Sequence, residues 1–298
     1  MTNARAHLST APLVTMEVEG QKAAVQVIGV PFDGTSTYRT GSRFGPDAVR
    51  AAFWNVEVYL PHLGLDLETI ALDDLGNIQH SASVTQTVAW VEETVRASSV
   101  AGCVPATLGG EHSISYGAIR AFDGPLTLLV FDAHFDLRDE YDDLSLMHAT
   151  YLRRLMEEKP DLKVIHVGVR GASRDEWAFA RERGVTAITA DEVAAEGSSG
   201  LNARLREALE GTERLYITID LDGLDPAYAP GVSNPEPAGL TSRQVLDALR
   251  LLRGTPIVGF DIVELCPQYD LGGITAVVAA RYLAELCGLV TVQRAPRG

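Results

Sequence analysis

Six apolar runs of strand length punctuate the chain, at 24–30, 104–108, 126–131, 164–169, 215–219 and 257–262, with a weaker one at 70–72. They are rich in Val, Ile and Leu and lack polar alternation, as expected of strands covered on both faces. Helix-like segments lie at 46–54, 83–98, 114–121, 148–158, 174–183, 201–209, 242–252 and 274–286. Strand alternating with helix predicts an α/β fold, a mainly parallel sheet with helices on both sides. Turn-rich stretches occur at 139–147, 196–200 and 225–239. No low-complexity linker or internal repeat divides the chain, so residues 1–298 read as one domain. The first and third turn-rich stretches directly follow the strongest motifs, where site-forming loops belong in an open α/β sheet.

Composition adds limits to this pattern. The 298 residues are 46% hydrophobic and 22% charged, ordinary for a globular protein with a substantial core. No continuous apolar run approaches the roughly 18 residues of a membrane span. The first residues lack a continuous apolar stretch and carry Glu17 and Glu19, so they do not read as a signal peptide. Cys103, Cys266 and Cys287 are widely spaced in apolar sequence. They read as small buried hydrophobes in a reducing compartment, which makes the cytoplasm the expected location. The formal net charge of −15 disfavours nucleic acid and anionic membranes as partners and favours a small cationic substrate. Solubility alone also accounts for such a surface.

The candidate chemistry sits at strand ends. Segment 126–136 reads LTLLVFDAHFD, an apolar run that passes into Asp132, His134 and Asp136. If the chain stays extended there, all three side chains project to one side. Three ionisable groups so placed at a buried strand end call for a compensating cation. Segment 215–225, LYITIDLDGLD, repeats the logic with Asp220 and Asp222, while Asp225 reads as the start of an Asp-Pro turn. In TLGGEHS at 107–113, Gly109 and Gly110 permit a tight bend, and either Glu111 or His112 is placed to join the site. Spacing does not choose between them. Imidazoles and carboxylates without thiolates suit two hard or borderline divalent ions, Mn²⁺ first, with Co²⁺ and Ni²⁺ the other candidates. Two such ions can hold and deprotonate a water near neutral pH.

With these residues in view, the sequence resembles the ureohydrolase family (arginase, agmatinase and relatives), most closely its agmatinase branch. The likeness runs through GVPFDGTSTYRTGSRFGPDAVR at 29–50, LGGEHS at 108–113, DAHFD at 132–136, TIDLDGLDPAYAPG at 218–231 and GFDIVELCPQYDLGGITAVVAA at 259–280. The resemblance implies a three-layer α/β/α sandwich on an eight-stranded, mainly parallel sheet. It also implies two metal ions held by His112, Asp132, His134, Asp136, Asp220 and Asp222, choosing His112 over Glu111. His148 matches a histidine proposed to pass protons to the leaving amine, although Ala149 replaces the glycine common in arginases. Glu264 matches the carboxylate that grips the guanidinium. The related deacetylases share the architecture but use a smaller metal set. Assembly as a homo-oligomer, a trimer or hexamer, is a further implication.

These roles imply hydrolysis of a guanidino C–N bond with release of urea. Asp136 would hydrogen-bond the nucleophile and pass its proton onward, and His148 would relay protons as an imidazole titrating near neutrality. The loop at 137–147, LRDEYDDLSLM, has four acidic residues and no Asn. It disfavours a substrate carboxylate, which points to agmatine, giving putrescine and urea. Arg138 argues instead for an acidic substrate such as guanidinobutyrate. Guanidine, arginine or a formimino compound are other candidates. A non-catalytic paralogue acting as a binding subunit is the alternative of a different class, and it would be expected to have lost ligands or Glu264. His7, His62, His80 and His166 have no partner at ligand spacing and read as structural.

Overall fold

The computed structural model describes residues 8–9, 16 and 18–294; His7 and most of the N-terminal stretch that does not read as a signal peptide lie outside them. The two-residue β1 (Leu8–Ser9) pairs antiparallel with β5 (Leu72–Ile78) at one edge of the main sheet. The other strands of that sheet are β2 (Val25–Val30), β6 (Val104–Gly109), β7 (Leu126–Phe131), β8 (Leu162–Val167), β9 (Thr186–Ile188), β10 (Leu215–Asp220) and β11 (Ile257–Val263). Their order is β1-β5-β2-β6-β11-β10-β7-β8-β9, and every pairing after the first is parallel. The expected eight parallel strands are therefore present, with one antiparallel strand added at the edge. A small hairpin, β3 (Tyr59–Leu60) with β4 (Leu65–Asp66), stands apart.

Period-two alternation divides the strand side chains between two apolar layers. Leu129 and Phe131 of β7 and Leu215, Ile217 and Ile219 of β10 face one layer, whereas Leu128, Val130 and Tyr216 face the other. The first layer is covered by α1 (Gly45–Phe53), α6 (Ala190–Ala208), α7 (Ser242–Leu251) and α8 (Ile274–Arg294). The second is covered by α2 (Val84–Val100), α3 (Ile114–Arg120), α4 (Tyr151–Glu158) and α5 (Arg174–Glu182). Ser173, Thr189 and Thr241 start α5, α6 and α7 with capping boxes, each paired with a Glu or Gln three residues on. All three cysteines are free and buried.

Several boundaries differ from the sequence reading for local reasons. Strand β8 ends at Val167 rather than residue 169 because Gly168, at φ 101°, turns the chain out of the sheet. The weak run at 70–72 is only the entry to β5, whose Asp74 and Asn77 hide its apolar pattern. Both are buried against the Arg50 side chain of α1. The turn expected at 196–200 coincides with a break at Gly197 (φ 67°, ψ −172°), where two helical segments meet within the span of α6. Helix α4 starts at Tyr151, leaving His148 in the turn before it. Helix α8 has a mean hydropathy of 1.5, enough for a membrane span by length and composition, yet 72% of that window is buried inside the protein. Its Glu285 is buried as well, pairing with His62 and lying 3.4 Å from Arg250.

Candidate metal centre

All parallel strands present their C-terminal ends on one edge, and four adjacent ones, β6, β11, β10 and β7, carry the site. After β6 the chain bends at Gly110, where a Cβ would lie 1.8 Å from the Phe32 carbonyl oxygen, so a side chain cannot be accommodated. The bend sends Glu111 and His112 in opposite directions. Glu111 turns to Thr35 and Ser113, accepting from Thr35 N at 2.7 Å and Ser113 Oγ at 2.6 Å. His112 turns into a cluster of carboxylates.

Residues 132–136 are not a continued strand. Regular β7 stops at Phe131, and Asp136 has a left-handed backbone (φ 55°). Asp222 likewise lies in a 3-10 turn, Leu221–Gly223, which Asp220 caps. Backbone amides then fix the carboxylates, each using one oxygen. His134 N donates to Asp132 Oδ1 at 2.6 Å, Asp222 N to Asp220 Oδ1 at 2.8 Å, and Ala133 N to Asp222 Oδ1 at 3.2 Å.

Two groups of atoms result. His112 Nδ1 lies 3.0 Å from Asp132 Oδ2, 3.3 Å from Asp136 Oδ2 and 3.1 Å from Asp220 Oδ2. His134 Nδ1 lies 3.1 Å from Asp222 Oδ2 and 3.6 Å from Asp132 Oδ1. Asp132 thus faces both groups, one oxygen to each. Among the described residues, His112 Nδ1 and Asp132 Oδ2 are buried and make no hydrogen bond of normal geometry. Close approach without a hydrogen bond is what lone pairs converging on a common cation would leave. His112, Asp132 and Asp136 form one ligand-like triad, and Asp132, His134 and Asp222 form another.

Electrostatics point the same way. Burial, then the negative charge of Asp132, raises Asp136 to about 7. Burial and the charges of Asp222 and Asp132 raise Asp220 well above the carboxylate range. Burial alone would lower His112; Tyr151 and the carboxylates Asp132, Asp136 and Asp220 outweigh it and push the imidazole well up. Without a cation, this cluster retains protons that exposed groups would release. Two imidazoles and four carboxylates fit a pair of divalent ions.

Groups that the strand-end reading did not single out support the cluster. His112 Nε2 lies 2.8 Å from Thr218 Oγ1 and 2.9 Å from the Tyr151 hydroxyl. Thr218 donates in turn to Asp261, a fully buried carboxylate within β11 that also accepts from the Tyr216 hydroxyl at 2.8 Å. With Nε2 engaged there, Nδ1 is the nitrogen turned to the cluster. A carboxylate inside the apolar run 257–262 was the available signal. Thr218, two residues before Asp220, shares its side of the strand. Behind Asp222, Arg170 donates to the carbonyls of Gly168, Asp222, Gly223, Leu224, Glu236 and Pro237. Asp225 holds the next turn as expected, accepting from Ala227 N at 2.9 Å.

A cavity of about 160 Å³ opens over these groups, lined in part by Thr37, His134, Asp136, Arg138, Tyr141 and His148. Glu264, just after β11, also lines it and is 2% exposed with a left-handed backbone (φ 67°). Such strained non-glycine positions concentrate at functional sites. Glu264 Oε1 accepts from His112 N at 2.7 Å, whereas Oε2 is buried and makes no hydrogen bond of normal geometry among the described residues. Burial raises this carboxyl to about 8, so a cationic partner is needed to hold it ionised at neutral pH. His148 differs from expectation: burial, then the charges of His134 and His112, lowers it to about 4, so its ring is neutral at physiological pH. The acidic residues of 137–147 also differ. None lines the cavity, and Asp139 is paired with Arg153 and Arg154. Arg138 does line it, stacked 4.9 Å over Tyr141 and 3.8 Å from Glu176. Among the other histidines, His166 is buried and pushed by burial to about 4, and His80 is exposed.

Comparison with known proteins agrees with this geometry. The sequence profile of the Arginase family matches residues 23–288. The human mitochondrial guanidino acid hydrolase is 37% identical over 284 residues, covering 92% of this chain and 80% of that protein. The N(1)-aminopropylagmatine ureohydrolase of Thermococcus kodakarensis is 37% identical over 270 residues, covering 89% and 90%. The crystal structure of the agmatine ureohydrolase of Thermoplasma volcanium superimposes with a TM-score of 0.86 at 35% identity, covering 98% of both chains.

Proposed function

The chain belongs to the arginase family, and from that premise we propose that it converts agmatine to putrescine and urea at a pair of Mn²⁺ ions. At the coarser level it is a hydrolase acting on guanidino C–N bonds. His112, Asp132, Asp136 and Asp220 would hold one ion, and Asp132, His134 and Asp222 the other. The ions, when bound, supply a water activated near neutral pH. The observation that carries this reading is Asp132 turned to two ligand groups beneath a cavity that Glu264 also lines.

The protein's own groups do the rest. Glu264 binds the guanidinium through paired, charge-assisted hydrogen bonds, and that cation keeps the buried carboxylate ionised. Asp136 takes the proton of the attacking water and passes it toward the leaving nitrogen. Neutral His148 accepts protons and returns them to the departing amine. The cavity wall, rather than the acidic loop, favours agmatine. Arg138 is the lining arginine, and its charge is offset by Glu176, so a carboxylate tail would have to displace that pair, whereas an alkylammonium tail would not. The side chain of Arg138 is 40% exposed, which favours a guanidino acid as the second reading. Location in the cytoplasm and assembly into a homo-oligomer complete the proposal.

Protein purified and loaded with Mn²⁺ should release urea, with kcat/KM highest for agmatine among agmatine, guanidinobutyrate, arginine and guanidine. A preference for guanidinobutyrate would replace the first reading with the second. No urea from any of them, with two ions bound per chain, would overturn both.

A further inference from the structure

The loop between β2 and α1 carries two hydroxyls that face one histidine. Asp33 closes this loop at its base, accepting from Gly41 N at 2.7 Å and pairing with Arg43. Inside it, Thr35 Oγ1 accepts from His148 N at 3.2 Å and donates to the buried carboxylate of Glu111. That second bond, with Thr35 N on the same carboxylate, fixes the loop against the start of α3. Two residues on, Thr37 Oγ1 lies 3.2 Å from His148 Nε2. His148 is only 8% exposed, whereas Thr37 is exposed, and both line the cavity. Thr37 therefore stands between a buried imidazole nitrogen and solvent.

We propose that Thr37 is a positioning residue for the hydrolysis, fixing the His148 ring and passing protons between its Nε2 and bulk water. The proposal rests on the reading of His148 as the proton carrier. A threonine hydroxyl donates one hydrogen bond and accepts two. Toward a neutral Nε2 it donates its own hydrogen while accepting one from water. When a proton moves inward, the oxygen takes a proton from water as it gives its own to nitrogen. Release runs the same exchange backward. Each transfer leaves the hydroxyl unchanged and moves one proton. Proton supply matters because the attacking water must lose both protons on becoming the urea oxygen and the leaving amine must gain two on becoming an ammonium. Asp136 carries one of them, and the other moves through His148. A valine keeps the shape of this residue and cannot make either transfer.

The test compares Thr37→Val, Thr37→Ser and His148→Asn with the parent enzyme, each loaded with Mn²⁺ and checked for metal content. Thr37→Val is expected to lower kcat by about tenfold with KM little changed. The loss should be largest in dilute buffer and partly recovered by added imidazole, and Thr37→Ser should restore turnover. A Thr37→Val enzyme whose kcat, pH profile and buffer dependence match the parent would overturn the proposal. So would a rise in KM alone, which would make Thr37 a wall of the substrate pocket. His148→Asn separates the premise: if it too leaves kcat unchanged, the reading of His148 fails rather than Thr37 alone.

Discussion

Asp132 turns one oxygen to each imidazole cluster, so a single side chain links both proposed ion sites. Asp132→Ala is expected to lose both ions and all turnover, and Asp220→Ala the ion nearest His112 together with activity. Metal content by plasma mass spectrometry, read beside urea release, checks both; full activity with metal retained would sink the ligand assignment. Glu264→Gln should separate binding from chemistry. Its metal content is expected to stay at the parent level while kcat/KM falls by about 10²–10³-fold. Asp132, His134, Asp136, Asp220 and Asp222 stood out as candidates because strand ends concentrate polar groups at two-residue spacing, whereas His112, His148 and Glu264 came from the family resemblance. The reason they converge was not legible. Extended backbone was expected through residue 136, but left-handed turns at Asp136 and Glu264 and the 3-10 turn at Asp222 aim the side chains instead. Such turns have no hydrophobic period to betray them.

Elements with strong apolar runs, such as β7 and β10, appear in the structure at the lengths their sequences imply, because burial on both faces leaves a plain signature. Element β5 was mostly hidden, since the charge of its buried Asp74 is met by an arginine distant in sequence. Arg50 donates to Asp74 from Nε at 2.7 Å and Nη2 at 2.8 Å, tying α1 to β5. Both side chains are fully buried, so Arg50→Ala leaves an unpaired charge and should cost about 3–5 kcal/mol of stability. Urea denaturation measures this directly, and a change below about 1 kcal/mol would show the pair to be dispensable. The helical segment of α6 before Gly197 was missed, whereas the break expected at 196–200 is present at Gly197, whose non-helical backbone separates two helical segments. Tail-reading loops were the least legible, since charge composition says nothing about which side chains point inward.

Across the whole molecule, protonation and metal occupancy oppose each other. Raised folded-state values make the metal-free protein hold extra protons: Asp136 from 3.8 to about 7, Glu264 from 4.5 to about 8 and His134 from 6.5 to about 12. A group raised on folding contributes stability below its unfolded value and loses it as pH climbs toward the folded one. His148 is shifted down, to about 4, and its opposing contribution is complete once pH passes 6.5. Chelated protein should therefore lose thermal stability between pH 6.5 and 8, while Mn²⁺ should raise the melting temperature more at pH 8 than at pH 6.5. An equal metal-induced shift at both pH values would contradict this coupling. The strand order adds a consequence in time. Strand β11 is the last in chain order among the described residues, yet it lies between β6 and β10. Until it inserts, His112 after β6 is separated from the aspartates that follow β7 and β10. The ion-binding pocket can then close only near the end of folding, after a contact about 150 residues long in sequence has formed, which is a slow step by its nature. A nascent or heat-damaged chain would meet its metal late, with two strand edges open in the meantime. The proposed ions would therefore stabilise the chain only after its last strand has inserted.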